Sequence, residues 1–401
     1  MRALIVGGCV AGLAGLSWVA ATAQTQVVRP PKARYAMDVG TTKGMAAMGS
    51  GIGGGMSMMF GGGNSNRIAR ELILRLGSVE AAKGTPKADH FVPAGMKMGK
   101  SLPLIAPDRP RDMSGMPEQF KPEGRVLIFW GCGERAPKGQ PIVIDLAKVA
   151  AGARMAMVMT STVSADPGPQ SSTSRAFVDY PNRQSDKVPS REGSLLGAHR
   201  ITSTLAPEIG FTLQQDYMPG LNVRSTTMPS GAVALNWSGI AGATGYYAYS
   251  FGGKMGEDGK MRDMVLWSSA SAREFGGGLM DWLSPATVAR LVTQKIVMPP
   301  SQTNCAIPAE VKTASAGFMF GTMNAYGPES NFAFPPRPSD PKIAWAPDWT
   351  ARVRFRSTTS WMSGVPGMGD MSGGDSSRGG QGDDGEPRRK CGMIQRAAGL
   401  C

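Results

Sequence analysis

Between positions 66 and 362, apolar residues recur in short runs with a two-residue period, separated by Gly, Pro and Ser. Leu72, Leu74 and Leu76 alternate with Ile73 and Arg75. This predicts a strand, with a short helix from Asn66 as the alternative. Val126-Leu127-Ile128-Phe129-Trp130 is a run suited to a buried strand, ended by Gly131-Cys132-Gly133. Pro141–Asp145, Met155/Met157/Met159 and Ile209–Leu213 predict three more strands, and the Ser/Pro/Asp/Arg-rich stretch 161–195 predicts a long loop. Further on, Val233–Trp237, Tyr246–Ser250, Met264–Trp267 and Phe318–Phe320 continue the pattern, with Asp258-Gly259 as a hairpin turn. Ser284-Pro285 predicts the N-cap and first position of a helix through Leu291-Val292. The last strand follows Pro335-Pro336-Arg337-Pro338, where Ala351, Val353 and Phe355 alternate with Arg352, Arg354 and Arg356. A strand places all three arginines on one face.

The fold class is mainly β. Its expected organisation is a signal segment over 1–23, a Gly/Met-rich flexible arm over 24–65, an irregular β-sandwich-like domain over 66–217, a second sandwich over 218–338, an additional strand over 339–362 and a disordered tail over 363–401. The leader carries Arg2, an uncharged apolar run Ala3–Ala21 and a small-x-small site Ala21-Thr22-Ala23. Those are the parts of a secretory signal peptide. A membrane anchor is the alternative, but Gly7, Gly8, Gly12 and Gly15 interrupt the run.

Residues 218–338 resemble a fibronectin type III domain. The resemblance rests on Leu235-x-Trp237, on Gly242-Ala243-Thr244-Gly245-Tyr246 leading into the next strand, and on Asn324-x-x-Gly327-x-x-Ser330. It implies a seven-stranded antiparallel sandwich of two sheets. The chain departs from the family in having Ala316-Gly317 where a tyrosine usually opens the late strand, and in its short helical insertion.

Composition sharpens this outline. The 401 residues include 54 Gly and 30 Pro, about a fifth of the chain, against roughly an eighth in ordinary proteins. Charged residues make up 18% and aromatics 7%, which excludes a coiled coil. Cleavage after Ala23 removes Cys9 and leaves Cys132, Cys305, Cys391 and Cys401. An even number in an exported chain implies disulfides, and four cysteines allow three pairings. Pairing Cys391 with Cys401 closes a small loop and leaves Cys132 with Cys305 as a long-range staple. Free buried cysteines are the alternative.

Candidate chemistry is sparse. His90 and His199 are the only histidines, far apart in sequence and without a metal-ligand motif around them, so each reads as a packed or surface side chain. Gly49-Ser50-Gly51-Ile52-Gly53-Gly54 matches a nucleotide-loop spacing but lacks the preceding strand. In Gly131-Cys132-Gly133-Glu134-Arg135, the thiol beside Arg135 is either a nucleophile or a disulfide anchor. Met45, Met48, Met56, Met58 and Met59 offer soft thioethers, which select Cu(I). Met also fills irregular cores.

A formal net charge of +13 favours anionic partners. For an exported chain these are an anionic envelope component or a protein partner, not nucleic acid. Arg352, Arg354 and Arg356 form the candidate binding patch, with an edge strand guarded by charge as the alternative. Together these features predict a periplasmic or secreted protein that binds or scaffolds without a cofactor. An enzyme of unrecognised type and a copper-binding envelope protein are the alternatives.

Overall fold

The computed structural model describes residues 26–44, 67–107, 124–149, 161–256, 261–316 and 319–363. The leader 1–23, the methionines at 45, 48, 56, 58, 59 and 155–159, the turn at Asp258-Gly259, and Cys391 and Cys401 in the tail lie outside the described residues.

The described chain is mainly β. In order its strands are β1 (Ala33–Gly44), β2 (Ile68–Ser78), β3 (Lys87–Phe91), β4 (Ser101–Ile105), β5 (Arg125–Trp130), β6 (Ile142–Asp145), β7 (Ala176–Tyr180) and β8 (Gly197–Ser203). There follow β9 (Ile209–Leu213), β10 (Val223–Thr227), β11 (Val233–Trp237), β12 (Gly245–Met255), β13 (Met261–Ser268), β14 (Asn304–Ile307), β15 (Met319–Phe334) and β16 (Trp349–Ser363). Two short helices, α1 (Pro285–Thr293) and α2 (Ala309–Ala314), flank β14. Ser284 caps α1 as its sequence predicts, its hydroxyl accepting from Thr287 N at 3.2 Å.

Thirteen strands form one sheet in the order β6-β5-β13-β12-β15-β16-β1-β2-β7-β4-β3-β8-β9, and β10-β11-β14 form a second sheet. Neighbours are antiparallel except β1 with β16 and β5 with β13. The large sheet crosses the division expected at 217/218, because β5 pairs with β13 and β16 pairs with β1. Ala33–Gly44 lies within the stretch expected as a flexible arm, yet it forms β1, a twelve-residue strand in the middle of the sheet. Likewise β7 lies within the expected loop 161–195 and pairs with β2 and β4.

A sheet this wide curls. Phe211 on the edge strand β9 stacks on Phe332 of β15 at 4.8 Å between centroids, so the far edge folds back toward the middle. Inside the curl, Tyr35, Leu74, Leu76, Leu104, Val178 and Val353 form part of one core. The same core continues under the second sheet, where Val233, Leu235 and Trp237 of β11 face Tyr246 and Ala248 of β12. Trp237 meets Tyr246 edge-on at 5.5 Å. The Tyr246 hydroxyl accepts from Ile240 N at 3.1 Å, which ties the corner between β11 and β12. On the opposite face of β12 and β15, Tyr247 and Tyr326 pack with Val288 and Leu291 of α1. The centre of the large sheet is therefore covered on both sides.

Seven strands, β10 to β16, thus form a three-stranded sheet facing the four-stranded section β13-β12-β15-β16, with every neighbour pair antiparallel. Its packing is close. Gly321 of β15 lies opposite Trp361 of β16, and a Cβ on Gly321 would fall 2.1 Å from the indole. Gly321→Val is therefore expected to cost about 1–3 kcal/mol through overpacking. A lower urea midpoint with unchanged slope checks this, and an unshifted midpoint refutes it.

Candidate functional site

The candidate site residues separate into three constellations. The first is the arginine stripe on β16. Alternation puts Ala351, Val353 and Phe355 in the core and turns Arg352, Arg354 and Arg356 to the other face of the sheet. That face is covered by the segments 163–175 and 277–284. Gly168 approaches Ala36, Pro169 and Ser174 approach Gly77, and the Trp282 indole donates to Val39 O at 2.9 Å.

β16 is not an edge strand, since β15 and β1 flank it, so charge is not there to guard an edge. Arg354 is 1% exposed. Its Nε donates to Asp38 Oδ1 at 2.9 Å and its Nη1 to Trp282 O at 2.6 Å. The other Asp38 oxygen accepts from Arg75 Nη1 at 2.7 Å, and Arg75 also donates to Pro167 O at 2.8 Å. Arg356 donates to Met280 O at 2.7 Å, contacts Glu71 Oε2 at 3.5 Å, and lies 3.8 Å over the Trp282 ring. Arg352 pairs with Asp166.

Burial, the largest single influence, opposes ionisation of Asp166, but the hydrogen bond and charge of Arg352, with the Arg354 charge and the Gly168 N–H, together outweigh it and hold the carboxyl below its ordinary range. The arginines of the expected anion-binding patch, with Arg75, thus meet three carboxylates and backbone carbonyls; Arg354 is buried, whereas Arg352 is partly exposed and its partner Asp166 exposed. Gly40 sits between Arg356 and Glu71 in the strand register. A Cβ there would meet the Glu71 carboxylate at 2.7 Å.

The second constellation joins the two histidines, 109 positions apart, which the sequence pattern leaves separate. Tyr35 on β1, His90 on β3 and His199 on β8 point into the curl of the sheet and are buried. Tyr35 Oη lies 2.9 Å from His90 Nδ1, His90 Nε2 lies 2.9 Å from His199 Nδ1, and His199 Nε2 lies 2.8 Å from Leu195 O. The partners assign the protons. A carbonyl only accepts, so His199 carries its proton on Nε2 and accepts at Nδ1. His90 then donates from Nε2 and accepts at Nδ1 from the Tyr35 hydroxyl. Every link is satisfied with both imidazoles neutral. Burial pushes His90 well below its ordinary value, with His199 adding to the effect, and burial also lowers His199. The chain ends on a backbone carbonyl, so it cross-links β1, β3 and β8 and delivers no proton to a surface.

The third constellation surrounds Cys132. Gly131 (φ +97°) turns the chain, Gly131 N donates to Ser268 O, and Gly133 N donates to Ala306 O, both at 2.9 Å. This holds Cys132 between the end of β13 and β14. Its sulfur is at bonding distance from Cys305, with Cα atoms 5.1 Å apart. The anchor expectation is met, and the nucleophile expectation finds its sulfur occupied.

Arg135 turns instead to Glu310 of α2 at 3.6 Å. Beside this pair, Leu127, Phe129, Pro141 and Thr313 line an open groove of about 340 Å³. The copper candidates Met45, Met48, Met56, Met58 and Met59 lie outside the described residues. Among the described residues no group of three His, Cys, Asp or Glu side chains is placed to hold a metal, and no helix is long and apolar enough to cross a membrane.

Two outcomes follow from these networks. Asp38→Asn leaves two guanidinium groups facing each other, an expected loss of about 3–5 kcal/mol. Arg354→Met leaves Asp38 paired with Arg75 and costs less, on the order of 1–3 kcal/mol. Urea denaturation of the two variants gives the order, and equal losses refute it.

For the histidines, the unfolded chain binds protons near the ordinary value of 6.5 while the folded chain does not. Stability is therefore complete above about pH 6.5 and falls below it, by up to roughly 1.4 kcal/mol per pH unit for each histidine. Carboxylates with ordinary values of 3.8 and 4.5 titrate mainly below this window. A denaturation series from pH 7.5 to 5.5 checks the slope, and a flat profile refutes it.

No protein-family model matches the chain, and no curated protein is similar to it.

Proposed function

We propose that the chain is an exported envelope protein, periplasmic or at the surface, that binds or scaffolds without catalysis. The observation that carries this reading is the Cys132–Cys305 pair. It joins the turn after β5, on the large sheet, to β14 of the small sheet, across 173 positions. Such a bond persists in an oxidising compartment. The leader 1–23, with its charged start, apolar run and Ala21-Thr22-Ala23 site, supports the same compartment.

We further propose that the last seven strands are a fibronectin type III-like sandwich. Supporting this are the count of seven, the antiparallel pairing within the small sheet and within the section β13-β12-β15-β16 of the large one, and the Trp237–Tyr246 contact between them. An immunoglobulin constant sandwich groups strands A, B, E and D against C, F and G. Here the first, second and fifth strands make one sheet, and the fourth, β13, joins the third, sixth and seventh. On this reading β16 is the seventh strand of the sandwich, so the unit extends to Ser363. Fold alone assigns no ligand.

A binding role accords with three pairings among the described residues. Arg354 and Asp38 neutralise each other, His90 and His199 bond each other, and Cys132 is paired. Recognition then falls to surfaces and sheet edges. Expression in a bacterial host with an intact export system tests the reading. The expected result is an extracytoplasmic protein whose N-terminal residue is Gln24 and whose Cys132 and Cys305 resist alkylation until reduced. Full-length protein in the cytoplasm with rapidly alkylated thiols at both positions refutes it.

A further inference from the structure

We infer that the end of the molecule formed by residues 26–34 and 334–348 is a docking surface for an anionic lipid bilayer. Scattered exposed apolar residues are ordinary, whereas clustered ones mark interaction sites. Among the described residues, four of the eight exposed large apolar side chains gather here: Val27 (62%), Val28 (51%), Phe334 (53%) and Ile343 (53%).

Backbone contacts hold them together. Trp345 N donates to Val27 O at 2.8 Å, Arg29 N donates to Trp345 O at 2.8 Å, and Asp348 N donates to Phe334 O at 2.7 Å. The Gln26 amide donates to Ile343 O at 2.9 Å. Trp345, partly exposed, carries the Arg337 guanidinium 5.6 Å from its ring centroid, and its indole donates to Pro335 O at 3.0 Å. The apolar groups are therefore presented on a fixed frame.

The surrounding charge selects the partner. Arg29, Lys32, Arg34, Arg337 and Lys342 are exposed at this end, against Glu80, Asp340 and Asp348. Asp348 is already tied to Lys32 at 2.8 Å. Exposed aliphatic and aromatic side chains with a basic surround match the chemistry of an anionic interface: the former enter the headgroup boundary and the latter meet phosphate. Tryptophan favours that depth. The arginines on β16, by contrast, are paired with carboxylates of the protein itself.

Position along the chain agrees with this choice. The apolar run Ala3–Ala21 precedes Gln26 with only residues 22–25 between them. The end that carries the exposed cluster is thus the end joined to the export segment. The proposal rests on the export reading only for bringing the chain to a membrane, and the surface is tested apart from it.

The test is sedimentation with vesicles, using the chain that begins at Gln24, which keeps every described residue. Phosphatidylethanolamine vesicles containing phosphatidylglycerol are compared with pure phosphatidylcholine vesicles. Saturable binding to the first is expected, weakening with salt and with removal of the anionic lipid. Val28→Ser/Phe334→Ser/Ile343→Ser is expected to weaken it by about tenfold or more, and Arg337→Gln/Lys342→Gln to weaken it and flatten the salt dependence. Unchanged far-ultraviolet circular dichroism establishes that each variant is folded.

Equal binding by the serine variant, no binding by the parent chain, or indifference to anionic lipid overturns the proposal. So does a concentration-dependent dimer, without lipid, that the serine substitutions abolish, since a second copy is then the occupant. If the protein proves cytoplasmic but its vesicle binding shows the expected sensitivities, the compartment reading falls and the surface stands.

Discussion

The pairing of β1 with β16 is the constraint on which the rest of the fold depends. It brings Ala33–Gly44 beside Trp349–Ser363 in parallel register, more than 300 positions apart in the chain. Asp38 and Arg354 are partners in that register, and their side chains bond on the covered face. A shift by one residue would turn Arg352, Arg354 and Arg356 into the core and Val353 and Phe355 out of it. Both errors are costly, because one buries charge without a partner and the other exposes apolar surface. Replacing a buried ion pair by hydrophobic residues is often near neutral, whereas leaving one partner unpaired is costly, so the pair penalises a shifted register.

From this seam the two halves of the sheet follow. On one side β15, β12 and β13 continue the sheet under β10, β11 and β14. On the other, β2 leads through β7, β4 and β3 to β8 and β9. The histidine chain performs in the second half a task comparable to that of Asp38 at the seam. It links three strands that are not adjacent in sequence, and it does so by hydrogen bonds whose directions are all determined by one carbonyl. In the first half the Cys132–Cys305 bond fastens the small sheet to the large one. Three different chemistries thus serve one purpose, which is to hold distant segments in a single wide sheet. The surface cluster of Val27, Val28, Phe334 and Ile343 differs in kind, because backbone bonds hold its segments together while its apolar side chains stay exposed.

Much of the β structure was legible in the chain. The alternation at Leu72–Leu76, the runs at 126–130, 209–213 and 233–237, and the capped helix after Ser284 all appear where period and end signals place them. β1 was hidden for a definite reason. It is covered on both faces, and the layer opposite Tyr35, Met37 and Val39 is filled by Ala36, Asp38 and Gly40. Small and charged residues there look like an unstructured arm. The signal that could have disclosed it is the two-residue period of Tyr35, Met37 and Val39 around a lone acid, Asp38.

By itself the sequence determined the class of structure, the strands with one apolar face, the helix start and the placing of Arg352, Arg354 and Arg356 on a common face. These are local consequences of backbone periodicity and capping. Only the tertiary structure decided what covers that face, that His90 and His199 meet, and that Cys132 and Cys305 lie within bonding distance. Each of those depends on which strands become neighbours, and that choice is made by burial summed over the whole sheet, which no local pattern records.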